Sequence, residues 1–217
     1  MSWNAEGFLL RQDTLYKSSN LINSLNPDII CIQERPHDNL LHRDKISSAF
    51  KLEYKVFNSR EDEVLNMAVY SKWPIMETEE YYFPGSYNKI LRADILYKEN
   101  KIRIFNIHLQ TTGLSASSVN DESKNLLFTY IHNTAERNRQ SDILSEEISR
   151  SPYPVIVCGD MNDTPVSYSY HNINSRLVDS FKKAGTGWAG TFQPSWNLFR
   201  IDYIFNSQEI EVMRSEL

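Results

Sequence analysis

Residues 154–165 read Pro-Val-Ile-Val-Cys-Gly-Asp-Met-Asn-Asp-Thr-Pro, and this stretch bears most on the fold. The apolar run between Pro154 and Gly159 predicts a short buried β-strand. Acidic and carboxamide side chains follow at the end of that strand. Burying them without partners would be costly, so we expect them to face a polar cleft. An Asx-type turn closed by Pro165 is the alternative, and this stretch alone does not decide between them.

Three other short β-type runs also carry a ligand-type or acid/base residue, within the run or just after it. They are 28–32 followed by Gln33-Glu34, 101–107 followed by His108, and 201–205 containing Asp202. In open α/β sheets, ligands bind in the crevice outside the carboxyl ends of the strands. The four runs together therefore predict one shared site rather than four separate turns.

An ordered set of motifs extends over nearly the whole chain. In chain order it consists of Asn4, Gln33-Glu34, Asn66-Met67-Ala68-Val69-Tyr70-Ser71-Lys72-Trp73-Pro74-Ile75, Asn106-Ile107-His108-Leu109, Arg137-x-x-Gln140, Gly159-Asp160-Met161-Asn162 and Arg200-Ile201-Asp202-Tyr203. This order resembles the endonuclease/exonuclease/phosphatase superfamily, which includes DNase I-like nucleases, abasic-site endonucleases, inositol-polyphosphate 5-phosphatases and neutral sphingomyelinases. The resemblance implies an α/β fold of two packed mixed β-sheets flanked by helices, a four-layer DNase I-like sandwich.

Length and composition fit this fold class. The chain has 217 residues, of which 41% are hydrophobic and 24% are charged. This length and composition predict a single domain over 1–217. The apolar runs are only as long as strands, so no transmembrane helix is predicted, and no signal peptide is visible. The cytoplasm is the default location, although the chain also resembles a bacterial subgroup in which this domain follows membrane helices. We expect a monomer.

The balance of charge bears on the substrate. A net charge of −5 and a pI of about 5.6 argue against tight binding of extended nucleic acid, which usually requires a basic face. A small phosphoester or a phospholipid headgroup fits at least as well. The predicted partner is therefore a phosphoester substrate, either a nucleic acid or a small or lipid phosphoester. Cys31 and Cys158 lie in predicted strands, and we expect buried free thiols.

The resemblance implies a divalent-metal site, with Mg²⁺ as the expected ion and Mn²⁺ as the alternative. Glu34 is the candidate for the principal ligand, because hard cations bind through carboxylate oxygens. Asn4 would hydrogen-bond Glu34 or a metal-bound water and so fix the orientation of the carboxylate. A surface glutamate in a turn is the alternative interpretation of Glu34.

The resemblance also assigns catalytic roles. Asp160 is the candidate for the general base, or for the group that orients the attacking water. Asn162 and His108 would donate to phosphoryl oxygens as negative charge grows on them. Asp202 lies in an apolar strand where a carboxylate needs a partner, and the superfamily supplies the histidine of a C-terminal Ser-Asp-His motif.

The chain ends at Leu217 without a Ser-Asp-His motif. We therefore expect a domain that is cropped at both ends and lacks its C-terminal strand, with Asp202 left unpaired. Several other residues have two equal interpretations. The arginines Arg92, Arg137 and Arg139 fit anion contacts or solvated charges, and the aromatic residues Trp188, Phe192, Trp196 and Phe199 fit substrate contacts or core packing.

The sequence thus predicts a divalent-metal-dependent phosphoester hydrolase (a phosphodiesterase, nuclease or phosphatase) that uses in-line attack by an activated water. The alternative is a non-catalytic phosphate-binding domain that lacks the C-terminal catalytic histidine. The sequence does not identify the substrate.

Overall fold

A computed structural model describes residues 1–6, 12–35, 43–60, 65–113, 125–192 and 198–217. Ten strands and five helices form within these residues. The strands are β1 (Ser2–Asn4), β2 (Ile29–Arg35), β3 (Tyr54–Phe57), β4 (Asn66–Ser71), β5 (Ile75–Tyr82), β6 (Lys89–Tyr97), β7 (Asn100–His108), β8 (Val155–Asp160), β9 (Val178–Asp179) and β10 (Asp202–Asn206). The helices are α1 (Gln12–Leu25), α2 (Arg43–Ala49), α3 (Leu126–Ser149), α4 (Tyr168–Asn174) and α5 (Ser180–Ala184).

The strands form two mixed sheets. The four-stranded sheet has the order β1-β2-β4-β3, in which β1 runs parallel to β2 and β4 runs antiparallel to both β2 and β3. The six-stranded sheet has the order β5-β6-β7-β8-β10-β9, with antiparallel pairing of β5 to β6 and of β10 to β9. Two mixed sheets accompanied by helices agree with the predicted architecture.

The chain forms two compact units. The first comprises Met1–Ile107 and Val155–Gly159, and the second comprises His108–Pro154 and Asp160–Leu217. The single domain expected over 1–217 stays a prediction.

Strand alternation organises the core of the first unit. Successive side chains of a strand point to opposite faces, so Ile30 and Ile32 of β2 lie on one face and Cys31 and Gln33 on the other. The two isoleucines join a buried apolar cluster with residues of α1 and β4. On the other face, the hydrogen bond with Cys158 and burial raise the pKa of the Cys31 thiol. Both cysteines are buried and free, as expected.

A buried polar link joins the two sheets within the first unit. The Asn106 side chain donates to the carbonyl oxygens of Ile32 and Ala68, at 3.0 Å each. Its Oδ1 accepts from Gln33 Nε2 at 2.6 Å. Asn106 and Gln33 are both fully buried, so each must have its polar atoms satisfied. The asparagine of the Asn-Ile-His motif is thus a structural connection between β7 and the four-stranded sheet.

Aromatic packing and one buried aspartate organise the second unit. The rings of Tyr170, Tyr203 and Phe205 pack against one another. The Asp179 carboxylate accepts from the Tyr170 hydroxyl at 2.8 Å and from the Arg200 guanidinium at 2.5 Å and 3.1 Å. It also accepts from the first amides of α5, so this short helix begins at a side-chain cap.

Parts of the predicted element pattern are wrong. The sequence predicts a helix over roughly 124–149 with a break near Asn133, whereas α3 is continuous. An asparagine inside a helix lowers helix stability by less than about 1 kcal/mol. The hydrogen bonds and packing of the neighbouring helical turns offset this cost. The sequence also predicts strands near 191–192 and 209–213, and neither forms. The amides of 191–192 bond to the Phe199 carbonyl instead of to a strand. For a helix over 13–25 the sequence predicts that Leu15, Ile22 and Leu25 point inward; Leu15 and Ile22 are buried, but Leu25 is 64% exposed.

Candidate active site

Glu34 lies at an irregularity in β2. The register between β2 and β4 shifts between Ile32 and Arg35, and Glu34 takes the left-handed conformation with φ of 52°. Such backbone strain is concentrated at functional sites. The parallel pairing of β1 with β2 places Asn4 opposite Gln33. Asn4 Nδ2 donates to Glu34 Oε1 at 2.9 Å, which holds the carboxylate in one orientation.

Gly159 controls the close approach of β8 to β7. Its φ is +138°, and a Cβ atom there would lie 2.0 Å from the Ile107 carbonyl oxygen. Only glycine satisfies both the conformation and the spacing. The motif glycine therefore determines where the chain leaves β8 and enters Asp160.

Three predicted catalytic residues come together in the second unit. His108 and Asp160 are buried, with 1% and 3% of their surface exposed. His108 Nε2 lies 3.7 Å from Asp160 Oδ2, and Asn162 Nδ2 lies 3.4 Å from the same ring nitrogen. Asp160 Oδ1 accepts from the backbone amide of Asn162 at 2.6 Å.

Asn162 is held in place by its backbone conformation and by a hydrogen bond of its side chain to Leu109. Its φ is 52°, a left-handed conformation that asparagine tolerates better than most residues. Its Nδ2 donates to the Leu109 carbonyl at 2.9 Å, and the Leu109 amide donates to the Asp160 carbonyl at 3.0 Å. The segments after β7 and β8 are thus joined directly. The arrangement presents a carboxylate, an imidazole and an amide in one small volume, which suits proton transfer and the binding of an oxyanion.

Asp202 begins β10, and it is half-buried rather than enclosed. Its amide and that of Ile201 both donate to Thr191 Oγ1 at 3.1 Å. The Ile201 carbonyl accepts from the Met161 amide at 2.9 Å, next to Asp160. Asp202 is not without an interaction partner, so the expectation of an unpaired buried carboxylate is corrected.

The three arginines left open by the sequence have different surroundings. Arg137 is 1% exposed and donates to Asp163 Oδ2 at 2.8 Å. Arg92 pairs with Glu79 at 2.5 Å, and the exposed Arg139 pairs on its own helix with Glu136 at 2.6 Å. The importance of Arg137 was missed, although a signal was present. It lies three, seven and eleven residues before Gln140, Leu144 and Ile148, a spacing that places all four on one helix face.

The aromatic residues before Asp202 are exposed where the structure describes them. Trp188, Phe192 and Phe199 expose 75%, 38% and 53% of their surfaces. Core packing therefore does not account for Trp188 and Phe199. Trp196 lies outside the described residues. The sequence also predicts a polar loop at 111–121, and its residues 114–121 lie outside the described residues as well.

Sequence and structure comparisons identify the class of protein. A sequence profile of the Endonuclease/Exonuclease/phosphatase family matches residues 1–216. The chain therefore belongs to this family. Among curated proteins, none matches the chain.

Several solved structures share the fold. Humanized D. rerio TDP2, carrying 14 mutations, superimposes with a TM-score of 0.71 at 17% identity, over 97% of this chain and 84% of that one. Truncated Caenorhabditis elegans TDP2 gives 0.68 at 19% identity, over 95% and 82%. An endonuclease/exonuclease/phosphatase from Bacteroides vulgatus gives 0.68 at 18% identity, over 89% and 78%. The predicted DNase I-like fold class is confirmed.

The described helices include none that combines the length and the apolar character needed to cross a bilayer.

Proposed function

We propose that this protein is a divalent-metal-dependent phosphoester hydrolase in which an activated water attacks phosphorus in line. The observation that carries the proposal is the grouping of His108, Asp160 and Asn162, in which the His108 ring nitrogen lies 3.4 Å from the Asn162 side-chain nitrogen and 3.7 Å from an Asp160 carboxylate oxygen. Family membership supports phosphoester chemistry, and the buried acid/base pair supports hydrolysis rather than binding alone. The substrate class is a phosphodiester or phosphomonoester, from a nucleic acid or from a small or lipid molecule.

Glu34 is the residue that would hold the metal ion. The donor set fits, because a carboxylate with an amide-fixed orientation suits Mg²⁺ or Mn²⁺. Asn4 would keep that carboxylate turned toward the ion. When bound, the ion supplies positive charge that stabilises the phosphoryl oxygens.

The other residues act on water and phosphate. Asp160 would accept the proton of the attacking water or orient it, with its carboxylate held by the Asn162 amide. Asn162 and His108 would donate to non-bridging oxygens, where negative charge increases in the transition state. Asp202 stays a candidate catalytic residue, because it directly follows Ile201, whose carbonyl accepts from the Met161 amide next to Asp160.

A non-catalytic phosphate-binding domain is the second candidate. It would use the same donors from His108 and Asn162 but would not require Asp160 as a base. The two candidates therefore differ in what the loss of that carboxylate does. If the protein is a non-catalytic phosphate-binding domain, a variant without the Asp160 carboxylate should still bind inorganic phosphate. The wild-type protein should then show no turnover.

The test uses Asp160→Asn with Asp142→Asn, an exposed carboxylate on α3, as its matched control. Turnover is measured with Mg²⁺ or Mn²⁺ on phosphodiester, phosphomonoester, lipid and nucleic-acid substrates. We expect Asp160→Asn to lose about two to four orders of magnitude in rate while the control keeps its rate. Near wild-type turnover by Asp160→Asn would eliminate the proposed mechanism.

Metal binding is tested separately by calorimetric titration with Mn²⁺. Glu34→Gln should weaken binding strongly, because the amide supplies no negative charge. Glu99→Gln, a change at an exposed turn, should leave the affinity unchanged. Equal affinity of Glu34→Gln and wild type would remove Glu34 from the metal site.

A further inference from the structure

The long helix α3 holds both of the segments that carry candidate catalytic residues in the second unit. Arg137 Nη1 donates to the Gln110 carbonyl at 2.8 Å, and its Nε donates to Asp163 Oδ2 at 2.8 Å. Gln110 lies two residues after His108, and Asp163 follows Asn162 directly. One buried guanidinium therefore connects the segment after β7 with the segment after β8.

A second side chain of α3 completes the attachment of Gln110. Gln140 Oε1 accepts from the Gln110 amide at 2.8 Å, so both backbone groups of Gln110 are bound to this helix. Gln140 is 1% exposed, and its Nε2 has no hydrogen-bond partner among the described residues. A buried amide nitrogen without a partner costs stability. Through its Oε1 bond, Gln140 holds the Gln110 amide against the helix.

Asp163 is fixed on several sides. Its carboxylate accepts from Arg137 and also from Ser169 Oγ at 3.1 Å and the Thr164 amide at 3.0 Å. Its carbonyl accepts from the Tyr203 hydroxyl at 2.9 Å. Because Asp163 follows the left-handed residue Asn162, these bonds restrict the backbone that presents the Asn162 side chain.

The spacing between His108 and Asn162 thus depends on α3. The direct bonds of Leu109 with Asp160 and Asn162 set the local alignment, and Arg137 binds the chain just beyond it on both sides. Misplacement of a reacting group by about 1 Å can lower a rate by about 100-fold. The Arg137 guanidinium bonds both segments and is therefore suited to maintain the spacing between His108 and Asn162.

We propose that Arg137 is a positioning residue. It holds the segments after β7 and β8 so that His108 and Asn162 both donate hydrogen bonds to the same phosphoryl group. This inference rests on the proposed function. Arg137 contacts the two segments and not the substrate. Arg137, Gln140 and Asp163 act as one unit in this role.

The main variant is Arg137→Lys. Lysine keeps the charge but lacks the planar fork, so it cannot bond Gln110 and Asp163 together in the same geometry. We expect kcat to fall about 10- to 100-fold while KM changes less than about twofold, because positioning affects the transition state more than substrate binding. Arg139→Lys, two positions along the same helix with 72% of its side chain exposed, is the control and should match wild type.

A double-mutant cycle with Asp163→Asn tests whether the pair acts as a unit. The double variant should be no slower than the slower single variant, since both changes break the same connection. Multiplied losses in the double variant would show independent roles and overturn the proposal. An unchanged kcat in Arg137→Lys would also overturn it.

Amide hydrogen exchange provides a readout that does not depend on catalysis. In Arg137→Lys, the amides of Gln110 and Asn162 should exchange at least about tenfold faster, while the amide of Ile107 in β7 should be unchanged. Unchanged exchange at Gln110 and Asn162 would contradict the positioning role. If wild type hydrolyses none of the substrates, the proposed function fails, and the exchange measurement alone then decides whether Arg137 fixes the two segments.

Discussion

Replacing Gly159 by alanine should destabilise the protein far more than an ordinary glycine substitution. Gly159 has a φ of +138°, a region that residues with a Cβ rarely adopt. The added methyl group would lie 2.0 Å from the Ile107 carbonyl oxygen, where real Cβ contacts are essentially never closer than 3.0 Å. The approach of β8 to β7 must therefore open by about 1 Å, which displaces backbone rather than a flexible side chain.

The expected magnitude follows from two contributions. Backbone strain at an unfavourable φ costs about 1–3 kcal/mol, and forced movement in a packed region costs about 1–3 kcal/mol. Together they predict a loss of about 2–6 kcal/mol in the free energy of unfolding. For a chain of this size, the middle of that range corresponds to a fall of about 10 °C in Tm.

Urea unfolding and thermal unfolding measure this loss directly. Gly85→Ala is the matched control, because Gly85 also has a positive φ, +74°, yet nothing lies within 4 Å of its Cβ position. The control should lose only the conformational part, about 1–2 kcal/mol. Equal losses at the two positions would refute the argument that the contact with Ile107 restricts Gly159.

Two further predictions concern buried charge and pH. Arg103 bonds both Asp94 carboxylate oxygens, at 2.8 Å and 2.7 Å. Asp94→Asn should lower the free energy of unfolding by about 3–5 kcal/mol, because Arg103 would stay buried without its counter-charge. An unchanged free energy of unfolding in urea at neutral pH would contradict this prediction. Burial and then the hydrogen bond to Asp179 raise the pKa of Tyr170 from 10.0 to about 12, so its stabilising contribution is complete below pH 10 and is lost as pH rises toward 12. Unfolding free energies measured across this range should fall less steeply in Tyr170→Phe, and identical profiles would count against the shift. Burial also raises the pKa of Tyr203, with the same sign of effect.

Short-range patterns in the sequence were sufficient to locate several strands and to select the candidate site residues. Alternation and β-branched runs located β2, β7 and β8, because strand formation in a buried sheet follows side-chain periodicity. Polar residues at the ends of those strands, such as His108 and Asp160, were recognisable because burial there requires a partner. The ordered motifs then pointed to the family that the profile match shows.

The short elements were not predictable in the same way. β9 has two residues and α5 has five, so neither contains a full period of hydrophobic pattern. Their formation depends on Asp179, which caps α5 and binds Arg200 from a distant part of the chain. Such pairings form only when the tertiary structure brings the partners together.

The sequence by itself determined which residues line the strand ends and which family the chain belongs to. Only the tertiary structure decided how those residues are used. It showed that Asn106 connects the sheets, that Glu34 and Asn162 take left-handed conformations, and that Arg137 is buried between two segments. The physical reason is that periodicity records which side of an element faces the core. Hydrogen bonds between residues 26 to 74 positions apart depend on geometry that no local pattern contains.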